Sequence, residues 1–64
     1  MAAHNDYYFV GESIDDEGIF FEAFDICERK ARKMAKKELE TVYGGGHLDI
    51  FLSETDDFVC DVEV

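Results

Sequence analysis

The sequence predicts a small α+β domain with element order β-β-α-β-β, a four-stranded antiparallel sheet carrying one helix on one face. Three observations lead there. Two aromatic and β-branched segments flank an acidic turn within residues 7–24. Apolar residues then recur at helical spacing between Cys27 and Val42. Two more strand-like segments follow a triple glycine. One helix can cover only one sheet face, which is a two-layer arrangement. The chain has 64 residues, so a single domain spanning 1–64 is the expected organisation.

Tyr7 to Ile14 reads as the first strand, rich in aromatic and β-branched residues. Asp15-Asp16-Glu17-Gly18 reads as the turn, with Gly18 available for a positive φ. Ile19 to Phe24 completes a hairpin. Asp25 is the expected N-cap of the helix, with Glu28 three residues later in capping-box spacing. Cys27, Ala31, Met34, Ala35, Leu39 and Val42 then form one apolar stripe. Gly44-Gly45-Gly46 stops the helix, because glycine takes the left-handed position past a helix end without penalty. A phosphate loop is not indicated, since no Gly-Lys-Ser/Thr follows and no strand precedes.

His47 to Glu54 reads as the third strand, with Leu48, Ile50 and Leu52 alternating against Asp49, Phe51 and Ser53. Thr55-Asp56-Asp57 is the next turn. Phe58 to Val64 is the fourth strand, with Phe58, Cys60, Val62 and Val64 on one face and Val59, Asp61 and Glu63 on the other. A helical crossover makes the second and third strands parallel, with the first between them. The expected strand order is therefore 2-1-3-4. The two acidic turns then lie at opposite ends of the sheet, about 20–25 Å apart for strands of this length.

Charge narrows the function. Sixteen Asp and Glu stand against six Lys and Arg, for a formal net charge of −10. A protein that binds nucleic acid directly needs the opposite balance, and an anionic membrane surface would repel this one. No apolar run is long enough for a membrane span. Met1 to Asp6 has neither a charged region nor an apolar core of a leader, so a cytoplasmic protein is expected. Hydrophobic residues make up 47% of the chain, far above the composition of disordered segments.

The charge is also unevenly placed. All six cations, Arg29, Lys30, Arg32, Lys33, Lys36 and Lys37, fall in one helical window that contains no acid. Glu12, Glu22, Asp49, Asp61 and Glu63 fall on strands, and Asp15, Asp16, Glu17, Asp56 and Asp57 fall in turns. Residues two apart on a strand sit about 6.6 Å apart on one face, so Asp61 and Glu63 present carboxylates at a spacing like that of successive phosphates. Edge acids that block strand aggregation are the ordinary reading of such residues. That reading covers Asp61 and Glu63 but not ten acids spread over every strand and both turns.

The helix-free face is expected to be aromatic. If Phe21 and Ala23 face the helix, Phe20, Glu22 and Phe24 face outward, joined by Phe51 and by either Tyr7 and Phe9 or Tyr8 and Val10. Aromatic sheets can stack single-stranded RNA, but these acids would repel its phosphates. A protein partner, or a second copy of the chain, suits such a face better.

Reactive chemistry is not indicated. No Ser/His/Asp or Cys/His arrangement is visible, and the acids are scattered rather than paired in a cleft. Cys27 and Cys60 are expected as inward thiols, and whether they pair is a matter of geometry. With His4 and His47 they offer no zinc-ligand spacing, and neither acidic turn carries the ligand pattern of a calcium loop. No catalytic residue, metal or cofactor is expected.

The segment Phe21-Glu22-Ala23-Phe24-Asp25-Ile26-Cys27-Glu28-Arg29-Lys30-Ala31, a strand running into a helix, is similar to a strand–helix junction of some type I anti-CRISPR proteins. The small, acidic, cysteine-poor chain as a whole resembles phage-encoded anti-defence proteins that mimic DNA. The resemblance spans residues 19–43, with size and charge carrying the rest. It implies an inhibitor that occupies a basic DNA-binding surface, such as the PAM-reading subunit of a CRISPR surveillance complex, in the bacterial cytoplasm. The contact residues would be Glu12, Asp15, Asp16, Glu17, Glu22, Asp49, Asp56, Asp57, Asp61 and Glu63, with the basic helix turned away. A monomer is expected over a homodimer. The other expectation is a small acidic module that self-associates through Phe20, Phe24 and Phe51.

Overall fold

The computed structural model describes residues 3–64; Met1 and Ala2, the first two residues of the segment read above as lacking a leader, lie outside it. Strands β1 (Asn5–Ser13) and β2 (Gly18–Ile26) form a hairpin. Helix α1 (Glu28–Glu38) follows and runs into a wider π-turn, Leu39–Tyr43. Strands β3 (Gly46–Leu52) and β4 (Phe58–Glu63) form a second hairpin. The sheet order is β2-β1-β3-β4 with every neighbouring pair antiparallel, as the sequence predicts.

Alternation assigns the two faces. Tyr7 and Phe9 of β1 lie beside Phe21 and Ala23 of β2 and beside Ile50 and Leu52 of β3. These residues meet Ala31, Ala35 and Leu39 from the helical segment, and Phe9, Leu39, Leu48 and Ile50 are fully buried. Phe9 and Phe21 stack with centroids 4.4 Å apart. Small Ala31 and Ala35 let the helix sit close against the aromatic rings, so the apolar stripe does what its spacing requires. The alternative left open for β1 is settled: Tyr7 and Phe9 point to the helix, and Tyr8 and Val10 point away.

Gly11 explains part of the close β1–β3 pairing. A Cβ built there would lie 1.9 Å from the His47 carbonyl oxygen, so no larger residue fits without moving a strand.

Several local expectations are corrected. Asp25 does not cap the helix. It belongs to β2, takes φ 56° beside a register shift between Asn5 and Tyr7, and its N–H donates to Asp6 Oδ1 at 2.9 Å. Cys27 holds the N-cap position without a side-chain cap bond. The bulge absorbs the residue that capping would have used.

Gly18 has no positive φ; Asp16 takes that role at 63°, and Asp56 does so at 62° in the second hairpin. Asp tolerates the left-handed region better than most residues because its short side chain bonds locally. The first turn is further fixed by buried Ser13, whose hydroxyl accepts the N–H of Asp15 (3.2 Å) and of Glu17 (3.0 Å).

The apolar stripe ends sooner than its spacing predicts. The π-turn carries Tyr43 back over the core, while Val42 is 61% exposed. Gly44, at φ 72°, closes the turn, and the N–H groups of Gly44 and Gly45 converge on the Leu39 carbonyl. The third strand stops at Leu52 rather than Glu54. In β4 an extra residue shifts the register between Ile50 and Phe51. Phe58 therefore pairs with Phe51 on the open face instead of joining Cys60 and Val62, and Val64 is exposed. Cys27 and Cys60 are free and half-buried, not fully inward.

Candidate functional site: the open sheet face

The face without a helix is organised in rows across the strands. One row is Glu12, His47 and Glu63 on β1, β3 and β4. The next is Phe20, Val10, Asp49 and Asp61. The third is Glu22, Tyr8, Phe51 and Phe58. Carboxylates and His47 thus concentrate toward one end of the face and rings toward the other, with Glu22 standing beside the rings and Phe20 level with Asp49 and Asp61.

The aromatic end is a continuous set of ring contacts. Tyr8 and Phe51 stack at 5.0 Å with planes 11° apart. Phe20 lies 6.0 Å from Tyr8, and Phe58 meets Phe51 edge-on at 5.7 Å. Such pairs are favoured geometries for aromatic rings. The set crosses all four strands, yet Phe20 is 64% and Phe58 58% exposed, and Phe24, further along β2, is 63% exposed. Burial pushes the Tyr8 hydroxyl pKa up, and the neighbouring Asp56 carboxylate adds to the shift.

The acidic end is built around His47. Its Nε2 lies 3.0 Å from Asp61 Oδ2 and 3.5 Å from Asp49 Oδ1. The hydrogen bond with Asp61 raises the His47 pKa above its usual value; burial works against that rise, and the charges of Asp49, Asp61 and Glu63 add to it. A protonated imidazole is stabilised by each of these neighbours. Asp49 and Asp61 stand directly opposite each other across β3 and β4, an arrangement of like charges that is unfavourable by itself. A shallow cavity of about 420 Å³ lined by Glu12, Ser13, Ile14, Asp16, Gly46, His47, Glu63 and Val64 adjoins the cluster.

All ten expected contact residues are placed by the fold. Glu12, Glu22, Asp49, Asp61 and Glu63 share the open face. Asp15, Asp16 and Glu17 sit in the turn at one end of the sheet, beyond the Ser13–Gly46 pair. Asp56 and Asp57 sit in the turn at the other end, beyond the Tyr7–Leu52 pair. Nine of the ten are exposed, and Asp49 is half-buried. The turn acids have local duties as well: Asp16 and Asp56 supply the left-handed positions, and Asp57 Oδ2 accepts the Thr55 hydroxyl at 2.8 Å.

The basic residues are exposed on α1, which packs on the opposite face. Arg32 Nη2 donates to Glu28 Oε2 at 2.6 Å.

His47 was not among the expected site residues. In sequence it is fourteen residues from Asp61, and only the β3–β4 register brings the two together. The visible signal was the Asp49/Asp61 alternation on two strands expected to pair.

Among the described residues, no helix is long and apolar enough to cross a membrane. No protein-family model, curated protein or solved structure matches the chain.

Proposed function

We propose that this chain is an acidic docking protein that occupies a basic nucleic-acid-binding surface on a protein partner, in the manner of a DNA-mimic inhibitor. One observation carries the reading: five carboxylates and a partly exposed aromatic row share the sheet face that no element among the described residues covers. The aromatic row supplies desolvated contact area, which is what interface cores favour. The carboxylates supply attraction to Lys and Arg, fix register and raise the association rate. The acidic turns at both ends extend the negative surface beyond the sheet. The cationic helix on the far side faces away from such a partner, which removes the conflict between a basic helix and a basic target. A type I CRISPR surveillance complex, with its basic DNA-reading surface, is the partner class that the resemblance of residues 19–43 suggests.

The test is competition with DNA for such a complex. The chain displaces target DNA at low ionic strength, and displacement weakens as salt rises. Reversing Glu12, Glu22 and Glu63 together to Lys abolishes it, whereas reversing Lys33 and Lys36 to Glu does not. Displacement that survives the triple reversal, or that is unchanged in several hundred millimolar salt, sinks the proposal.

Exposed Phe20, Phe24 and Phe58 also favour a second reading, self-association through this face. It would set the carboxylates of two copies against each other, at a Coulombic cost that the first reading does not carry. Sedimentation that gives a concentration-independent monomer removes it.

A further inference from the structure

We propose that His47, Asp49 and Asp61 form a binding site for a divalent transition-metal ion of the zinc class. The three side chains offer one imidazole nitrogen and two carboxylate oxygens, all within 4.8 Å of one another. A cation held about 2.1 Å from each donor sets adjacent donors roughly 3.0–3.4 Å apart, across the octahedral-to-tetrahedral range. The observed separations from His47 Nε2 are 3.0 Å and 3.5 Å.

The set differs from a patch of surface acids in three respects. Its central donor is a nitrogen, and imidazole selects zinc-class ions over magnesium and calcium. Two donors lie two residues apart on β3 and the third lies across the β3–β4 pair, so strand backbone rather than loop holds all of them. The directly opposed Asp49 and Asp61 carboxylates, with Glu12 and Glu63 beside His47 in the next row, leave excess negative charge even when the imidazole carries a proton. A divalent ion between them removes that repulsion. All three side chains are partly solvent-accessible, 42%, 39% and 59% for His47, Asp49 and Asp61, so water can complete the coordination shell.

The ion would sit on the same face as the proposed docking residues, but the site stands without that reading. The experiment uses no partner, so the two proposals fail separately. The full chain is stripped with chelator, and Zn²⁺ is titrated in calorimetry under reducing conditions, with a C27S/C60S form run in parallel to exclude thiol binding. One ion binds per chain, with the same affinity in both forms. His47→Gln and Asp61→Asn each weaken binding roughly tenfold or more, on the scale seen when coordination is disturbed. Glu54→Gln, outside the cluster, leaves it unchanged. In the unmodified chain the His47 imidazole resonances move on saturation, and an equal concentration of Mg²⁺ does not reverse the change. Zn²⁺ binding that is equal in the His47→Gln form, binding that disappears in the C27S/C60S form, or imidazole resonances that stay fixed at saturating Zn²⁺ would overturn the proposal.

Discussion

The two faces of the sheet are made from alternate residues of the same four strands, and they obey different rules. The covered face holds Tyr7, Phe9, Ile19, Ala23, Leu48 and Ile50, closed by Ala31, Ala35 and Leu39. Every residue there is explained by packing. The open face holds Tyr8, Phe51 and Phe58 with Glu22 toward one end, Glu12, His47 and Glu63 toward the other, and Phe20, Asp49 and Asp61 in the row between. Packing does not require exposed phenylalanines, and compaction is opposed by clustered carboxylates. A domain of this size has little stability to spare. A face that keeps phenylalanines exposed and carboxylates clustered in so small a domain points to a role beyond packing.

The largest difference between the two faces is expected at Phe9. Phe9 is fully buried and stacked on Phe21, while Phe58 is 58% exposed. Phe9→Ala should cost about 3–5 kcal/mol, enough to unfold much of the population of so small a domain. Phe58→Ala should cost under about 1 kcal/mol, as surface changes do. Urea unfolding followed by circular dichroism measures both. Equal losses would mean that the open face is part of the core and that its aromatic residues need no partner to explain them.

A smaller effect sharpens the contrast inside the open face. Tyr8 and Phe51 stack at 5.0 Å, so a double-mutant cycle with Tyr8→Leu and Phe51→Leu should give a coupling of about 0.5–1.5 kcal/mol. That value would make the aromatic row a preorganised platform. Zero coupling would make it four independent side chains that order only on binding.

The covered face was legible in the sequence because periodicity reports burial. The 2-1-3-4 order followed from the helical crossover, and the stripe Ala31, Met34, Ala35, Leu39 followed from 3.6-residue spacing. What periodicity does not carry is the insertion of a single residue. The shift near Ile50–Phe51 turned Phe58 to the open face, and the bulge at Asp25 displaced the cap, because one added residue inverts the alternation on one side of it. The π-turn at Leu39–Tyr43 likewise changes the angular advance and releases Val42. The ten acids were placed correctly because strand and turn assignments were enough for them. The His47 cluster was not legible, since it depends on the β3–β4 register, which spacing along the chain does not encode.

The weakest effect tests whether His47 is an internal counter-ion for the acidic end. In the presence of chelator, its pKa stands above the unfolded value, first because of the bond with Asp61 and then through the charges around it. The folded state therefore binds the proton more tightly than the unfolded chain. The stabilisation is complete below the unfolded histidine value, near 6.5, and is lost as pH rises through the higher folded value. Because the side chain is 42% exposed, solvent screening holds the effect to well under about 1 kcal/mol. Stability measured by urea from pH 5.5 upward should fall slightly across that window and level off above it, while Asp61→Asn shrinks the step and His47→Gln removes it. A rise with pH over the same window would have the wrong sign for a histidine held by carboxylates. The imidazole would then be stabilised in its neutral form, and the acidic end of the open face would lack the only positive charge assigned to it.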